Sequence, residues 1–553
     1  MSLPINSFPK GKLAELLAKA KANQEVKYPT VITPGIPVAS DIGSGVTDKY
    51  GNPITYNSKQ QEFISLASSG QSCVLIGAAG TGKTTCQKGL VQALIQSGMA
   101  GLLQPMGHKH LIADTPGIIV CAYTRRATAN IRKNMSADMQ NNCVTIHKLL
   151  EYQPVYYEVM DEQTGETKTK MQFEATRNSA NPLPPSIHTI IFEESSMIGT
   201  ELYQEVINAC PHNPQLIFLG DIQQLPPVFG PAILGFKLLS LPVVELTEVY
   251  RQALESPIIS LAHRILSGNG IQKEEFGQWK FPNQLTIHPW KKKISPHEAL
   301  NTAGQFFIAA ENNGIYSPED DIILIPFNKS FGTDELNKII ANHLARKRNS
   351  ETYEVLAGFN KHYLSIGDKI LYDKEDAIIV SIEPNLTYTG AKPLPHSQTL
   401  DYWGYDPVIH ATPTQEDTDV DFLLAQVSKA EAGDRVRQAS HIITIRRADT
   451  DSEVKLDKAA EINSVLLGYA LTVHKSQGSE WRKVFFVTHQ SHATMLQREL
   501  LYTAVTRAKE ELYIICEPET FVNGIKSQKV KGNTLAEKAE YFKGKVLNGE
   551  SYE

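Results

Sequence analysis

The sequence predicts an α/β fold made of two units, each built around a parallel sheet. From Asn57 onward, short apolar runs alternate with helical stretches, and a second alternating block follows residue 250. Such alternation is typical of parallel strands whose connections cover both faces of a sheet. A glycine-rich loop joins one run to one helical stretch at residues 77–84. A chain of 553 residues is also too long for a single core.

The strands of both units are predicted from continuous apolar runs. In the first unit the runs cover residues 73–76, 118–123, 189–192 and 216–219. In the second block they cover residues 322–326, 465–472, 484–487 and 512–516. Residues 84–97 have helical spacing and end near Gly98, a plausible helix stop.

Two segments interrupt the alternation. Residues 155–175 place β-favouring side chains on both sides of a polar turn, which predicts a β-hairpin inside the first unit. Residues 355–460 hold short β-like runs and an acidic loop at 412–421, which predicts a small β-rich insertion in the second unit. Near the start of the chain, residues 13–23 predict a short amphipathic helix and residues 28–55 a linker.

Composition bounds the class of protein without identifying it. The chain is 41% hydrophobic and 21% charged, as expected of a globular protein, and it holds no apolar run long enough to span a bilayer. The N-terminus lacks the pattern of a secretory signal. The six cysteines form no C-x-x-C pair, so we expect reduced core thiols in a cytosolic protein. The net charge of −6 leaves nucleic-acid binding undecided, because only a local groove needs to be basic.

Residues 77–84 form a complete phosphate-binding loop, G-x-x-x-x-G-K-[ST]. Glycines let backbone N–H groups turn inward around a phosphate, Lys83 can reach the β and γ phosphates, and the Thr84 hydroxyl can ligate Mg²⁺. The helix that follows would place its N-terminus at the phosphates. A glycine-rich turn that matches by chance is disfavoured by the strand before it and the helix after it.

Further polar groups follow the next predicted strands. Glu193 and Glu194 end the run at 189–192, where one carboxylate can hold Mg²⁺ and the other can align or deprotonate a water. Gln224 follows the run at 216–219 and is placed to sense a γ-phosphate. Arg251 and Arg507 are candidate arginine fingers. Taken alone, the acids could form a solvated turn and either arginine a surface ion pair.

Together, these strings resemble the motif series of the superfamily 1 helicases, and within them the B branch of RecD-like and phage Dda-like enzymes. Before the phosphate loop, residues 57–60 (NSKQ) are similar to the adenine-reading Q motif. After it, the matching strings are residues 122–127 (AYTRRA, motif Ia), 145–150 (TIHKLL), 190–197 (Walker B), 220–225 (motif III), 246–251 (motif IV), 470–480 (motif V) and 501–508 (motif VI). The resemblance therefore extends from about Asn57 to Cys516.

The resemblance implies two RecA-like P-loop domains with a β-hairpin pin in the first and a β-rich insertion in the second. The implied divisions are an N-terminal extension at 1–56, a first motor domain at 57–250 with its hairpin at 151–187, a second motor domain at 251–354 and 464–553, and an insertion at 355–463. ATP would lie between the motor domains with Mg²⁺, and single-stranded nucleic acid would lie across their tops.

The resemblance also implies roles for individual residues. Those implied at the nucleotide are Gln60 on the adenine, the loop residues Gly77, Gly80, Thr81, Gly82, Lys83, Thr84 and Thr85, and Gly478 and Glu480 of motif V. Those implied in hydrolysis are Lys83, Glu193, Glu194, Gln224, Arg251 and Arg507, with Thr84 and Glu193 at the metal. Those implied along the nucleic-acid strand are Thr124, Thr145, His147, His474 and Lys475. Phe173 and Met171 of the pin could stack on the terminal base pair, and the alternative is that Phe173 only anchors the hairpin to the core.

Two departures from the family pattern stand out. The first acid of the Walker B pair is usually Asp, and here it is Glu193, whose extra methylene moves the carboxylate outward by about one bond. The β-rich insertion and its acidic loop at 412–421 match the family poorly. The small insertions nevertheless resemble the B branch, which moves 5′→3′, rather than the A branch, which carries large helical insertions.

The sequence therefore predicts an ATP-dependent 5′→3′ DNA helicase of DNA replication, recombination or repair. The expected partners are single-stranded DNA and its junctions with duplex, with replication or single-strand-binding proteins as candidates and no membrane. A monomer in the cytoplasm of a bacterial or phage-infected cell is expected. A single-strand translocase that displaces proteins and an RNA helicase remain alternatives. A nucleotide switch without motor activity is disfavoured by the intact Lys83, Glu194 and both arginines.

Overall fold

The computed structural model describes most of the chain from residue 53 onward. The described residues are 46–47, 53–98, 117–160, 167–227, 231–249, 256–269, 284–290, 293–357, 360–372, 375–386, 388, 438–448 and 451–548. Several predicted features lie outside them: the helix at 13–23, nearly all of the extension at 1–56, the candidate finger Arg251 and the acidic loop at 412–421. For Phe173 only the backbone is described.

The first part of the chain forms a parallel sheet with helices and a hairpin. Its strands are β1 (Cys73–Gly77), β2 (Gly117–Ala122), β3 (Cys143–Thr145), β4 (Tyr152–Met160), β5 (Thr167–Ala175), β6 (Ile187–Phe192), β7 (Gln215–Gly220) and β8 (Val243–Leu246). Its helices are α1 (Ser58–Ser68), α2 (Lys83–Gln96), α3 (Arg125–Asn134), α4 (Ile146–Leu149), α5 (Thr200–Ala209) and α6 (Ile233–Ser240). The strand order is β3-β2-β6-β7-β1-β8, and every neighbouring pair is parallel.

The second part repeats this plan with an insertion. Its strands are β9 (Leu285–Pro289), β10 (Ile322–Ile325), β11 (Thr352–Ala357), β12 (Asn360–Ser365), β13 (Lys369–Tyr372), β14 (Glu375–Pro384), β15 (Gln438–Arg447), β16 (Glu453–Lys458), β17 (Leu466–Leu467), β18 (Ala470–Thr472), β19 (Trp481–Val487) and β20 (Ala508–Cys516). Its helices are α7 (Pro257–Leu266), α8 (Pro296–Asn312), α9 (Thr333–Lys347), α10 (Ala459–Asn463), α11 (Arg498–Val505), α12 (Pro518–Lys526) and α13 (Leu535–Asn548). The second parallel sheet has the order β18-β10-β19-β20-β9.

The predicted α/β fold with two parallel sheets is confirmed. Every residue of β1 and β2 is buried, as expected for strands covered by helices on both faces. Three strands of the parallel sheets were not predicted: β3, β8 and β9, which bear the polar side chains Thr145, Glu245 and His288. A polar residue within or at the end of so short a run leaves too few apolar residues for the run to stand out as a strand.

The insertions fold as antiparallel β-structure. β4 and β5 pair along their whole length, with Tyr156 opposite Met171. In the second unit, β16-β15-β14-β13-β17 form an antiparallel sheet beside the hairpin of β11 and β12. The insertion sheet therefore reaches Leu467, beyond the predicted boundary at 463. The run predicted at 465–472 is divided at Gly468, whose N–H donates to the Lys369 carbonyl at 2.9 Å.

The last helix differs from the prediction, which assigned residues 464–553 to the second unit. After α12 the chain returns to the first unit, where α13 lies against α6. Val530 and Phe542 belong to the same buried cluster as Phe192 and Phe218 of the first sheet. The Phe542 ring, 4% exposed, packs edge-on against Phe236 with ring centroids 5.9 Å apart. This return was not predictable from the sequence, because an amphipathic helix does not specify which core it covers.

Within the described residues, no helix has the length and hydropathy needed to cross a bilayer. All six cysteines are free and buried. Burial raises the pKa of the Cys73 and Cys86 thiols to about 12, so these side chains are protonated and behave as apolar groups.

Replacing Phe542 by Ala is expected to lower the free energy of unfolding by about 3 kcal/mol, because it removes a buried ring and leaves a cavity between α13 and α6. Urea unfolding monitored by circular dichroism measures the loss. Lys543→Ala, an exposed neighbour on the same helix, is the matched control and should change stability by less than about 0.5 kcal/mol. Equal effects of the two variants would contradict the docking of α13.

Candidate nucleotide site and nucleic-acid interface

The phosphate-binding loop connects β1 to α2. Gly80 and Gly82 have φ of 81° and 88°, in the left-handed region that only glycine adopts without strain. Helix α2 begins at Lys83, and its N-cap residue Gly82 supplies no side-chain cap. The N–H groups of the first helical turn are therefore left for another acceptor, as in sites that bind phosphate.

The side chains of the loop are held inside it. The Lys83 Nζ donates to the carbonyls of Gly77 at 2.6 Å and Ala78 at 3.3 Å. The buried Thr81 hydroxyl donates to the Ala78 carbonyl at 2.8 Å. Thr84 is exposed on the first turn of α2, so its hydroxyl is accessible to a metal ion. Thr85 is half-buried beside it.

The two acids follow β6, and the second has an unusual backbone. Glu194 adopts φ 48° and ψ 42°, a left-handed conformation that costs a non-glycine residue about 1–3 kcal/mol. Its Oε2 is buried with no hydrogen-bond partner among the described residues. Glu193 turns its Oε2 back to accept from the Glu194 N–H at 3.2 Å. The extra methylene of Glu193, relative to Asp, thus curls toward its own backbone and not outward.

Burial makes both acids hard to ionise. It raises the pKa of Glu193 to about 7, with the Glu194 charge adding to the effect and Lys83 opposing it. Burial also raises the pKa of Glu194, although Arg507 and Lys83 favour its ionised form. A divalent cation beside these acids would favour their charged forms. The unpartnered Glu194 oxygen and the exposed Thr84 hydroxyl therefore fit a magnesium–nucleotide complex.

Within the described residues, no cluster of three or more His, Cys, Asp or Glu side chains is arranged to hold a metal ion. A magnesium ion at this site would need phosphate oxygens among its ligands, as Mg²⁺ bound with a nucleotide usually has.

Motif III lies between the loop and the acids. β7 is the strand between β1 and β6, so the turn that follows it, residues 221–225, is flanked by the phosphate loop on one side and by Glu193 and Glu194 on the other. The Gln224 Oε1 is buried and unpartnered among the described residues. An amide oxygen without a protein partner is able to accept from a water, and the amide nitrogen of the same side chain is able to donate to a phosphate.

The second unit reaches this turn directly, through residues that the sequence analysis did not single out. The Tyr502 hydroxyl donates to the Asp221 Oδ2 at 2.6 Å, and the Thr503 hydroxyl accepts from the Leu225 N–H at 3.1 Å. The Gln477 Nε2 donates to the Leu225 carbonyl at 3.0 Å. One signal in the sequence could have identified Thr503: it lies four residues before Arg507, the spacing of neighbours on one helix face, although α11 itself ends at Val505.

Arg507 is 4% exposed and is fixed by its own unit. Its Nε donates to the Thr503 carbonyl at 3.1 Å, its Nη1 to the Ser479 carbonyl at 3.1 Å and its Nη2 to the Thr506 hydroxyl at 3.2 Å. The guanidinium also acts electrostatically on Glu194 of the other unit. The structure thus brings one predicted finger to the acids, whereas Arg251 lies outside the described residues.

Three residues predicted at the nucleotide have other contacts. Gln60 is fully buried and forms a reciprocal cap with Asn57, whose N–H donates to the Gln60 Oε1 at 3.0 Å. The Gly478 carbonyl accepts from the Asn130 Nδ2 of α3 at 2.5 Å. Glu480 is exposed and pairs with Lys509 at 3.5 Å. Their contacts with a nucleotide stay predictions.

Two threonines predicted to contact the nucleic-acid strand are helix N-caps. The Thr124 hydroxyl accepts from the Ala127 N–H at 3.1 Å, and the Thr145 hydroxyl accepts from the Lys148 N–H at 3.1 Å. Each residue is 9% exposed. Capping uses an oxygen lone pair of each hydroxyl and leaves its proton to donate, so both threonines are still able to contact a backbone phosphate.

The remaining candidates are partly accessible. His147 lies between Tyr123 and Tyr152, with ring centroids at 5.7 and 5.0 Å. His474 and Lys475, both half-buried, follow β18 in the second unit.

Motif V meets motif Ia at Gly478, where a Cβ would lie 2.7 Å from the Ala127 Cβ and 3.0 Å from the Thr124 Oγ1. Thr124, predicted to contact the nucleic acid, therefore lies where the first unit meets motif V of the second.

Comparison with known proteins gives two family matches. A family described as AAA domain matches residues 60–230, and one described as UvrD-like helicase C-terminal domain matches residues 467–515. The first covers the phosphate loop, both acids and motif III, and the second covers motifs V and VI.

Individual relatives are similar along most of this chain. The ATP-dependent RecD2 DNA helicase of Deinococcus radiodurans is 27% identical over 454 residues, which cover 80% of this chain and 46% of that protein. This chain therefore spans about half the length of that relative. The ATP-dependent DNA helicase dda of Enterobacteria phage T4 is 24% identical, covering 79% of this chain and 93% of that protein. Among solved structures, a Pif1 helicase from Candida albicans matches with a TM-score of 0.42 and 14% identity, covering 89% of this chain and 99% of that one.

Replacing Glu193 by Gln is expected to stabilise the protein more at pH 8 than at pH 5. The folded protein retains the Glu193 proton up to a pKa of about 7, whereas the unfolded carboxyl releases it near 4.5. Stability is therefore lost as the pH rises between these values, and the loss persists above them. Glutamine has no such proton, so its advantage should grow by about 1–3 kcal/mol across this window.

Calorimetric unfolding from pH 5 to pH 8, without nucleotide or divalent metal, measures this difference. Glu335→Gln, an exposed acid on α9, is the control and should show no growth with pH. A difference between Glu193→Gln and wild type that does not change with pH would contradict the raised pKa.

Proposed function

We propose that this chain is a member of the B branch of the superfamily 1 helicases and that it is an ATP-dependent DNA helicase moving 5′→3′ on single-stranded DNA. It would unwind duplex at single-strand junctions, in DNA replication, recombination or repair. We further propose that it works as a monomer in the cytoplasm of a bacterial or phage-infected cell. Replication or single-strand-binding proteins are its candidate partners.

One observation carries this proposal: the nucleotide site is shared between two parallel sheets. The loop, the acids and Gln224 come from the first unit, while Tyr502, Thr503 and Arg507 come from the second. A site divided in this way changes shape when the units move, so nucleotide binding and unit movement are coupled. A nucleotide switch confined to one unit would not need these contacts.

In the proposed hydrolysis, each residue has a task that suits its chemistry. Lys83 and the N–H groups at the start of α2 bind the phosphates, with Gly77, Gly80, Thr81, Gly82 and Thr85 shaping the loop. Glu194 orients and deprotonates the attacking water, and Gln224 hydrogen-bonds that water or the γ-phosphate. Arg507, joined by Arg251, stabilises the charge that spreads over the phosphoryl oxygens. Mg²⁺, held by Thr84 and Glu193, would supply further positive charge at the phosphates.

We propose that the nucleic acid crosses the interface where Gly478 meets Thr124. Thr124, Thr145 and His147 would contact its backbone from the first unit, with His474 and Lys475 on the second. Backbone contacts position a strand without reading its sequence, as a translocating enzyme requires. The hairpin of β4 and β5 would act as the pin, with Phe173 stacking on the last base pair.

Lys83→Ala is expected to reduce ATP hydrolysis in the presence of single-stranded DNA by about 100-fold or more, because it removes the ammonium from the phosphate loop. A phosphate-release assay measures the rate. Lys88→Ala, five residues further along α2, is the matched control and should retain nearly full activity. Robust turnover by Lys83→Ala would refute the assignment of the site.

Unwinding is expected on duplexes that carry a 5′ single-stranded DNA tail and not on those with a 3′ tail. Strand separation with fluorescent oligonucleotides tests this, with blunt duplex as the control. Activity only on the 3′-tailed duplex would overturn the polarity. ATP hydrolysis stimulated by DNA without strand separation would instead indicate a translocase, and activity confined to RNA tails would indicate an RNA helicase.

A further inference from the structure

The second unit contacts both backbone polar groups of one residue of the phosphate loop, Ala79. The Ala79 N–H donates to the Tyr502 hydroxyl at 2.7 Å, across 423 positions of the sequence. The Ala79 carbonyl accepts from the His263 Nε2 of α7 at 3.3 Å. Amide groups of such loops are the groups that surround a bound phosphate. The second unit therefore contacts the phosphate-binding backbone itself.

The same tyrosine hydroxyl also reaches motif III. It donates its proton to the Asp221 Oδ2 at 2.6 Å, and both residues are at most 1% exposed. The other Asp221 oxygen, Oδ1, accepts from the Gln223 N–H at 2.9 Å and so fixes the turn that carries Gln224. Burial and the Asp221 charge raise the pKa of Tyr502 well above its usual range, so the hydroxyl keeps its proton.

These bonds determine which groups donate and which accept at the Tyr502 oxygen. A hydroxyl has one proton, and because Tyr502 gives it to Asp221, the oxygen can only accept from the Ala79 N–H. A displacement of the Ala79 peptide changes that accepted bond and, through the shared oxygen, the position of Asp221. The turn at Gln224 follows, since Asp221 holds it through the Gln223 N–H.

We propose that Tyr502 is a positioning residue that couples the phosphate loop to Gln224 through Ala79 and Asp221. This inference rests on the proposed helicase function. It adds that a change at the γ-phosphate end of the site is transmitted to the second unit through Tyr502. Tyr502 would act through Gln224 and touch no reacting atom.

Tyr502→Phe tests the relay, because it keeps the buried ring and removes only the shared oxygen. The kcat of DNA-stimulated ATP hydrolysis should fall about tenfold while the KM for ATP stays within about twofold, since phosphate binding by Lys83 is untouched. The number of base pairs separated per ATP should fall as well. Tyr513→Phe, which removes a hydroxyl bonded to Glu511 in the same unit, is the matched control and should match wild type.

The outcomes separate this inference from the proposed function. If wild type shows no DNA-stimulated hydrolysis, the helicase assignment fails. If wild type is active and Tyr502→Phe has the same kcat and the same base pairs per ATP, the relay alone is overturned. A merely structural tyrosine would lower the thermal unfolding midpoint and leave the kcat of the folded protein unchanged.

Two further measurements keep the test decisive if Tyr502→Phe folds poorly. His263→Ala removes the contact with the Ala79 carbonyl and should also lower kcat more than it changes KM. In a double-mutant cycle, Tyr502→Phe added to Asp221→Asn should cost much less than Tyr502→Phe alone, because both changes break one chain of bonds. Additive effects would overturn the relay.

Discussion

The hydrogen bonds that the second unit makes to the turn at residues 221–225 hold the two halves of the nucleotide site together. Asp221, Leu225 and the Ala79 peptide are buried or half-buried polar groups, and their partners come from α7, α11 and motif V. Burying polar groups without partners costs free energy, so the two units stay in contact here only while these hydrogen bonds are made. If the units separate, water can replace each bond. The two states can therefore differ little in free energy, which is the condition for a small ligand to choose between them.

The charged groups of the site also come from both units. Glu193 and Glu194 are buried beside one another, with Lys83 on the first unit and Arg507 on the second. Glu194 follows β6 in a left-handed backbone conformation, and its Oε2 has no hydrogen-bond partner among the described residues. Strain and unsatisfied polar groups of this kind are typical of functional sites, where surrounding structure maintains them. The sheet core supplies that support, since β6 and β7 are almost entirely buried.

Local patterns in the sequence were sufficient to predict most strands and to place the loop, both acids and Gln224 directly after strands of the first sheet, because each depends on residues that are neighbours in the chain. Gly80 and Gly82 adopt the conformations that the loop motif requires, and α2 starts at the expected lysine. The contacts of Tyr502 with Ala79 and Asp221 were not predictable, since they join residues that are hundreds of positions apart. Helix capping was not predicted: the Thr124 and Thr145 hydroxyls, which we predicted to contact nucleic acid, also accept hydrogen bonds from N–H groups of their own helices. The same local chemistry places Gln60 in a cap with Asn57.

The return of α13 to the first unit has a mechanical consequence. The described chain crosses between the units once between β8 and α7 and again between α12 and α13, so the second unit is tethered at both of its ends. A body attached at one point can swing and twist in any direction, whereas one attached at two points turns mainly about the line that joins them. Movement of the second unit when a ligand binds is therefore expected to be mainly a rotation about the axis through its two connections.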